Sequence, residues 1–369
     1  MQQSQVERTG GRKRTRAFAC AIAFTSWTVG ASGCSDGLPT RVGPDEPPLP
    51  PGPTGGEATG GVARPAPTTE IPPRGKGPPY PVVLVHGFGG FHQLGPIEYF
   101  HRVEETLRAE GVDVTATQAT PFDPPDLRAR QLLPQLDAVL ERSHADKVIV
   151  VAHSQGGLDA RALAHLRPGR VAAVFTVSTP HRGSAIADLV MNDTGALGPD
   201  LVARALDLLG VTIWGAPSSQ EKDAIATMTR TGAAAFARAT PDLPDVRYYS
   251  VAGRSNLAPG DGPECVADGK APEFLRPWAA TVDAANPIVA PLGVVLGRAE
   301  GTTDSPAPND DLVTVRSARW GRFLGCIPAD HLDEVGQPLG TSPGSIGGTA
   351  FDHLAFYRGV IAFLRTEGL

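Results

Sequence analysis

The fold of this 369-residue chain is decided by residues 148–157, which read VIVVAHSQGG. Four consecutive β-branched residues predict a buried strand, and the apolar-periodic segment that follows predicts a helix immediately after it. Between strand and helix stands Ser154, with Ala152 two positions before it and Gly156 two positions after it. Small residues are needed there if the two backbones approach closely around a sharp turn. The segment therefore predicts a nucleophile elbow, with alanine in place of the usual first glycine.

Short apolar runs alternate with helical patterns on both sides of the elbow. Strands are expected at 82–85, 112–117, 148–151, 171–177 and 247–252, and helices at 98–110, 125–142, 155–166 and 350–365. Runs of Val and Ile without polar alternation are typical of strands that are buried on both faces. The pattern predicts the α/β class, with a mostly parallel sheet flanked by helices.

Charge and composition exclude a nucleic-acid-binding role. The chain has 33 basic and 39 acidic residues, for a formal net charge of -6. A phosphate-reading surface needs clustered Lys and Arg, and the dense basic run is confined to residues 12–16. We therefore expect no nucleic acid among the partners.

The first 77 residues have the composition of targeting and spacer segments. The basic run is followed by an apolar stretch at 17–31, which predicts a signal peptide within residues 1–34 and hence export. Small residues before Cys34 resemble a bacterial lipobox, so Cys34 is a candidate for lipidation and membrane anchoring, with a plain signal peptide as the alternative. Residues 35–77 are rich in Pro and Gly and predict a linker. The catalytic domain is then expected at 78–369.

A second Gly-rich turn follows the first predicted strand. Residues 85–90 read VHGFGG, and a turn of this kind supplies one backbone N–H to an oxyanion hole in hydrolases with an elbow. The other N–H comes from the residue after the nucleophile. Phe88 and Gln155 are therefore the predicted donors to the oxyanion.

A serine nucleophile needs a base and an acid, which follow it in the order Ser, acid, His. The histidines after Ser154 are His165, His181, His331 and His353. The first and last fall inside predicted helices and His181 precedes every plausible acid, so His331, in a polar loop, is the predicted base. Asp310 is the predicted acid, with Asp304 and Asp311 as rivals.

These motifs together resemble the secreted triacylglycerol lipases of Pseudomonas and Burkholderia. The resemblance is carried by residues 80–87, 153–157, 179–184, 309–313 and 331–337, in the order that the family has them. It implies an α/β-hydrolase fold from about residue 78 onward, with Ser154 as nucleophile, His331 as base and Asp310 as the acid that orients it.

The same resemblance implies a structural calcium ion beside the His331 loop. Asp283 and Asp333 would supply carboxylates, and Gln337 and Thr341 would supply backbone carbonyls, a set of hard oxygen donors suited to Ca²⁺. Asp283 is matched by its distance from Asn309 alone, so an ordinary surface aspartate is the alternative there.

Cysteine usage agrees with export. Beyond the processing region the chain keeps Cys265 and Cys326, an even pair for which we expect a disulfide. Two free thiols are the alternative. The related lipases place their second cysteine where this chain has Arg316, so the bridge is expected to fasten a different loop.

The sequence therefore predicts a serine hydrolase that cleaves lipid esters at an oil-water interface, with triacylglycerol as the implied substrate. A helical lid is expected within residues 184–219, where Leu201, Leu206 and Leu209 share one face. The alternatives are a short-chain carboxylesterase, a polyester depolymerase, a phospholipase, or a surface-tethered binding protein without chemistry. A dedicated folding chaperone is a further expected partner, as in some relatives.

Overall fold

The central sheet follows from the Val- and Ile-rich runs of the sequence. The computed structural model describes residues 77–90, 92–94, 97–192, 219–255, 262–279, 281, 283, 286, 289–302, 305–337 and 351–369. The strands are β1 Val82–Val85, β2 Gln93–Leu94, β3 Ile97–Glu98, β4 Val114–Ala116, β5 Val148–His153, β6 Val171–Val177, β7 Arg247–Gly253 and β8 Arg322–Ile327. Six of them form one sheet of parallel neighbours in the order β4-β1-β5-β6-β7-β8. This confirms the predicted parallel sheet.

Helices connect the strands and cover both faces of the sheet. They are α1 Val103–Ala109, α2 Pro125–Ser143, α3 Gly156–Leu166, α4 Ala185–Asn192, α5 Ser219–Met228, α6 Arg230–Ala239, α7 Ala290–Glu300, α8 Val315–Ala318 and α9 His353–Thr366. Three 3-10 helices lie at Pro263–Cys265, Glu273–Trp278 and Asp333–Val335. Local chemistry sets several ends: α2 starts with a proline in its first turn, and the Asp352 side chain caps α9 by accepting from the backbone N–H of Ala355.

Alternate residues of the strands face two separate apolar layers. Leu84 and Val151 pack on one side with residues of α1 and α9. Val85 and Val150 pack on the other side with residues of α2 and α3. Since both faces are covered, the strands have no need of polar alternation, which explains their continuous apolar runs.

The first helix and the last strand differ from the sequence-based expectation. The helix expected from residue 98 begins at Val103, because Ile97–Glu98 pairs with Gln93–Leu94 in a small antiparallel hairpin. Strand β8 was not predicted. It contains an arginine and a glycine and pairs with β7 at the edge of the sheet, where the apolar run that marks a central strand is not required.

Contacts divide the chain into two units, Met1–Ala66 and Pro67–Leu369. The first unit, including Cys34, lies outside the described residues, as do Asp304, Thr341 and residues 193–218 of the segment in which a lid is expected. Within the part of the chain that the structure describes, no helix combines the length and the apolar character needed to cross a membrane.

Candidate active site

Ser154 stands on a sharp turn between β5 and α3. Its φ is 55°, in the left-handed region that non-glycine residues adopt rarely and mostly at functional turns. A Cβ at Gly156 would lie 2.5 Å from the carbonyl oxygen of Val85 and 2.7 Å from that of His86. A small residue two positions after the serine is therefore required, as the elbow prediction had it, but the crowding comes from the end of β1 and not from the strand and helix of the turn itself.

The Gly-rich loop after β1 lies directly against this turn. A Cβ at Gly87 would come within 2.6 Å of the Ser154 Cβ, so the loop can pass the serine because it has a glycine there. The next residue is Phe88, whose ring packs edge-on against Phe122. Among the described residues, the N–H groups of Phe88 and Gln155 have no hydrogen-bond acceptor. Two backbone donors beside a serine are what an oxyanion hole needs.

His331 and Asp310 form a buried pair. His331 Nδ1 lies 2.7 Å from Asp310 Oδ2, and the backbone N–H of His331 donates to the Asp310 carbonyl at 2.9 Å. The other carboxylate oxygen, Oδ1, accepts from the N–H groups of Leu312 at 3.0 Å and Val313 at 2.6 Å. A carboxylate that accepts at Nδ1 of an imidazole holds the ring proton there and leaves Nε2 as the base.

The imidazole of His331 lies next to the elbow. Its ring centroid is 4.5 Å from that of His153, the residue that precedes Ser154. The histidines set aside from the sequence have other roles: the ring nitrogens of His165 and His353 contact backbone carbonyls, and His181 contacts Thr176.

Asp311, the rival acid, has a different environment from that of its neighbour. Its Oδ1 accepts from the Ser255 hydroxyl at 3.0 Å, and its backbone adopts a φ of 78°. Burial, together with the charge of Asp330, raises the pKa of Asp311 to about 8. The structure thus brings Asp310, rather than Asp311, to His331, while Asp304 lies outside the described residues.

A buried glutamate that the sequence analysis missed lies beneath the pair. Glu334 Oε2 is 2.8 Å from His153 Nε2 and 4.0 Å from His331 Nδ1, and Glu334 Oε1 accepts from the Ser178 hydroxyl. Burial, with the neighbouring Asp310, raises the pKa of Glu334 well above its usual range. A sequence signal existed in the acidic residue three positions after His331, but such spacing is common on polar loops.

His153 connects this glutamate to the other side of the elbow. Its Nδ1 lies 2.7 Å from the hydroxyl oxygen of Tyr99. Burial, followed by the nearby His331, holds the pKa of His153 well below its usual range. The ring is therefore neutral and links Tyr99 to Glu334 under the nucleophile.

Three aspartates meet on the far side of the His331 loop. Oxygens of Asp283, Asp330 and Asp333 lie within 4.8 Å of one another, and none of the three residues is more than 1% exposed. Asp330 Oδ1 accepts from the backbone N–H groups of Leu332 and Asp333, each at 2.8 Å. Burial and the charge of Asp333 raise the pKa of Asp330 to about 6.

This cluster brings together the two aspartates that the resemblance assigned to calcium and adds one that it did not. Asp330 was missed because the sequence gives no way to tell which side of a loop a residue faces. Gln337 lies near the cluster in sequence, and its side-chain amide donates to the carbonyl of Tyr99 at 2.5 Å. Thr341 lies outside the described residues.

Cys265 and Cys326 form a disulfide, with their Cα atoms 5.2 Å apart. The bond joins the first 3-10 helix to β8 and closes a separation of 61 residues. On the chain-entropy model a loop of this length contributes about 4 kcal/mol of stability. The pairing agrees with the sequence-based expectation.

Comparison with known proteins gives one consistent result. Residues 80–207 match the family model described as alpha/beta hydrolase fold. A triacylglycerol lipase of Vibrio cholerae is 30% identical over 284 residues, covering 71% of this chain and 81% of that protein. A triacylglycerol lipase of Burkholderia plantarii is 28% identical over 327 residues, covering 79% and 87% respectively.

A solved structure of a metagenomic carboxyl esterase covers 84% of this chain and 81% of its own, with a TM-score of 0.53 and 20% identity, which supports the fold. The Vibrio relative, matched over most of its length, supports more than the fold. This chain belongs to the triacylglycerol lipase family of the α/β-hydrolase fold and is a carboxylic ester hydrolase.

Proposed function

We propose that the enzyme hydrolyses triacylglycerol through an acyl-enzyme formed on Ser154, with His331 as general base and Asp310 as its orienting acid. The observation that carries this proposal is the 2.7 Å contact between His331 Nδ1 and Asp310 Oδ2, beside a serine in a left-handed turn. The pair fixes the imidazole in the tautomer that can accept a proton at Nε2.

The chemistry follows from these positions. The Ser154 hydroxyl attacks the ester carbonyl while His331 takes its proton, and the carbonyl oxygen becomes an alkoxide that the N–H groups of Phe88 and Gln155 stabilise. His331 then gives the proton to the departing alcohol. Water repeats the sequence on the acyl-enzyme and releases the fatty acid.

Substitution of Ser154 tests this assignment. Ser154→Ala is expected to remain folded and to lose esterase activity to background, because alanine fits the elbow but cannot attack a carbonyl. A fluorophosphonate probe should label the wild type and leave the variant unlabelled. The matched control is Ser143→Ala, at the C-terminal end of α2, which should keep both activity and labelling. Labelling that persists in Ser154→Ala would place the nucleophile at another residue, whereas a wild type that the probe does not label would favour a binding role without this chemistry.

We further propose a structural calcium ion held by Asp283, Asp330 and Asp333, with backbone carbonyls of Gln337 and Thr341 as additional ligands. Three buried carboxylates from two separated segments form a donor set that suits a hard divalent cation. The raised pKa of Asp330 supports the fit, because a bound cation would offset both the burial and the repulsion from Asp333 that raise it. The ion would supply stability to the loop that carries His331 and no group to the reaction.

The substrate proposal separates a lipase from a short-chain carboxylesterase, a polyester depolymerase or a phospholipase. If residues 184–219 carry a lid, activity on a partly soluble triglyceride should rise sharply once droplets form. Leu206→Asp should blunt that rise and leave hydrolysis of a soluble short ester unchanged. Smooth saturation through the solubility limit, with or without the substitution, would instead indicate a carboxylesterase.

Export and anchoring complete the proposal. Lipidation of Cys34 would tether the domain to a membrane through several acyl chains, and mass spectrometry of the mature N-terminus decides between a lipidated Cys34 and a freely secreted enzyme. The folding chaperone expected from the family resemblance is tested by refolding the purified chain alone. Full recovery of activity would remove that partner.

A further inference from the structure

The guanidinium of Arg128 is buried behind the Gly-rich loop. Arg128 lies on α2 and its Nε donates to Asp159 Oδ2 of α3 at 2.7 Å, with both side chains 0% exposed. Removing two charges from water is costly, and a buried pair of this kind often adds no net stability compared with apolar residues of similar size. A buried ion pair here therefore needs an explanation beyond stability.

The rest of the guanidinium contacts backbone carbonyls of two loops. Nη2 donates to the carbonyl of His86 at 2.6 Å. Nη1 donates to the carbonyl of Thr120 at 2.8 Å, with longer contacts to those of Gly87 at 3.2 Å and Pro121 at 3.3 Å. One side chain thus joins the loop that carries Phe88 to the loop before α2.

The contact with Gly87 bears directly on the oxyanion hole. The carbonyl of Gly87 and the N–H of Phe88 belong to one planar peptide group and point in opposite directions. Fixing the carbonyl oxygen on the Arg128 side therefore fixes the direction of the N–H on the Ser154 side. A charged donor at the carbonyl also polarises the amide, which strengthens the N–H as a donor.

The neighbouring His86 supports the same peptide. Its Nε2 accepts from the N–H of Ala119 at 3.1 Å, so the ring proton is on Nδ1, which donates to the Gly87 carbonyl at 2.9 Å. Burial, with the charge of Arg128, lowers the pKa of His86 to about 3, so the ring is neutral. Its role at the loop is that of a neutral donor, and the positive charge there comes from Arg128.

The second oxyanion peptide is held in a different way. The N–H of Gln155 shares a peptide group with the carbonyl of Ser154, which accepts from the Thr179 hydroxyl at 2.7 Å. A neutral hydroxyl is sufficient on a turn already fixed by β5 and α3. The Phe88 peptide lies in a loop outside the sheet and the helices, where its carbonyl accepts from the Gly90 N–H at 3.2 Å and from His86 Nδ1 at 2.9 Å. Arg128 adds a charged donor that ties this peptide to the loop before α2.

We infer that Arg128, held by Asp159, is a positioning residue that orients the Phe88 N–H for the oxyanion. The inference rests on the proposed function of Phe88 and Ser154. It assigns no contact between Arg128 and substrate.

The test uses two variants and one matched control. Arg128→Lys keeps the charge beside Asp159 but loses the planar fork that reaches several carbonyls. The double variant Arg128→Met with Asp159→Leu removes the pair without leaving a buried charge behind. Arg167→Lys is the control, because Arg167 pairs with Asp137 across the same two helices at 2.7 Å but is about half exposed and distant from the loop.

The measurements are kcat and KM on a soluble p-nitrophenyl ester, the Ki of a trifluoromethyl ketone, and the melting temperature. Misplacing one oxyanion donor should lower kcat by about 10- to 100-fold with KM within about two-fold, since the alkoxide forms only in the transition state. The Ki of the ketone, whose hemiketal oxygen occupies the same hole, should rise by a similar factor. The control should change each value by less than about two-fold.

Folded Arg128 variants with wild-type kcat and Ki would overturn the inference, as would an equal loss in the Arg167→Lys control. If the double variant fails to fold, Arg128→Lys alone decides. Ser154→Ala in the same assay distinguishes the two proposals. If Ser154→Ala is active, Ser154 is not the nucleophile and the proposed function fails. If Ser154→Ala is inactive while the Arg128 variants are fully active, only this inference fails.

Discussion

Two groups of buried carboxylates lie at the loop that carries His331, and we call them the active-site side and the acidic side. On the active-site side, Asp310 and Glu334 contact the imidazoles of His331 and His153. On the acidic side, Asp330 lies with two further aspartates whose oxygens are within 4.8 Å of its own. Chain neighbours are divided between the sides, since Asp333 belongs to one group and Glu334 to the other.

The difference lies in what compensates each charge. Asp310 has an imidazole and two backbone N–H groups as donors, and the raised pKa of the neighbouring Glu334 favours a proton on that carboxyl. Asp330 has two backbone N–H groups and the Asn286 side chain as partners, with the Asp333 carboxylate beside it. Adjacent carboxylates require either protons or a cation, and three of them meet at Asp330. The first arrangement suits catalysis and the second suits metal binding.

The largest expected effect is on the active-site side. In Asp310→Asn the amide would direct its NH₂ at His331 Nδ1 and impose the wrong tautomer, while its oxygen could still accept from Leu312 and Val313. We expect kcat to fall by about 10³- to 10⁴-fold, as for the equivalent change in other triads. The measurement is kcat on a soluble ester, with the melting temperature as a check on folding. If Asp311→Asn proves the more damaging change, the acid has been assigned to the wrong aspartate.

Asp311 should instead respond to pH. Its pKa is raised, to about 8, so the folded state holds a proton that the unfolded state loses near pH 4. Stability is therefore lost as pH rises from about 4 to about 8. Each pH unit costs about 1.4 kcal/mol, which gives at most about 4 kcal/mol between pH 5 and pH 8.

Asp311→Asn should remove this dependence, because asparagine is neutral and tolerates the left-handed backbone at this position. Denaturant unfolding at pH 5 and pH 8 measures the effect. The variant should gain stability relative to the wild type as pH rises, with kcat within about two-fold. A difference that is constant with pH would mean that Asp311 is already ionised at pH 5.

On the acidic side, withdrawal of calcium should lower stability without removing activity. Binding at 100 times the Kd contributes about 2.7 kcal/mol, which corresponds to a melting temperature about 5–10 °C lower in EDTA for a domain of this size. Asp330→Asn should shrink the calcium-dependent shift, while Asp137→Asn on the surface of α2 should leave it intact. The same melting temperature with EDTA and with calcium, and no metal by elemental analysis, would remove the ion from the proposal.

The active-site side could be predicted further from sequence than the acidic side. Ser154 was predicted because its turn requires a small residue at Gly156. His331 was predicted because two of the other histidines fall inside predicted helices and the third precedes every plausible acid. Asp330 and Glu334 were missed because a loop of consecutive polar residues has no hydrophobic periodicity that would show which way each side chain faces. Arg128 was missed for a related reason. An arginine in a predicted helix is expected at the surface, whereas the structure shows that this side chain is buried.

The smallest expected effect concerns Glu334. It follows Asp333 of the acidic side in sequence, but its side chain contacts the imidazole of His153 on the active-site side. Glu334→Gln keeps the shape and could still contact His153 and Ser178, but it replaces the carboxyl beside Asp310 and His331 with an amide that cannot ionise. If Glu334 supports His331 only through the neutral His153, kcat should fall by no more than about ten-fold, far less than for Asp310→Asn.

The pH profile of kcat/KM is the measurement that distinguishes a protonated from an ionised Glu334. A Glu334 that stays protonated throughout would leave the profile of the variant unchanged. An ionised Glu334 would stabilise the His331 imidazolium, and its loss would move the acidic limb of the profile to lower pH. A fall in kcat as large as that of Asp310→Asn would mean that the two carboxyls act as one acid, and the comparison would then separate a catalytic dyad from a metal site.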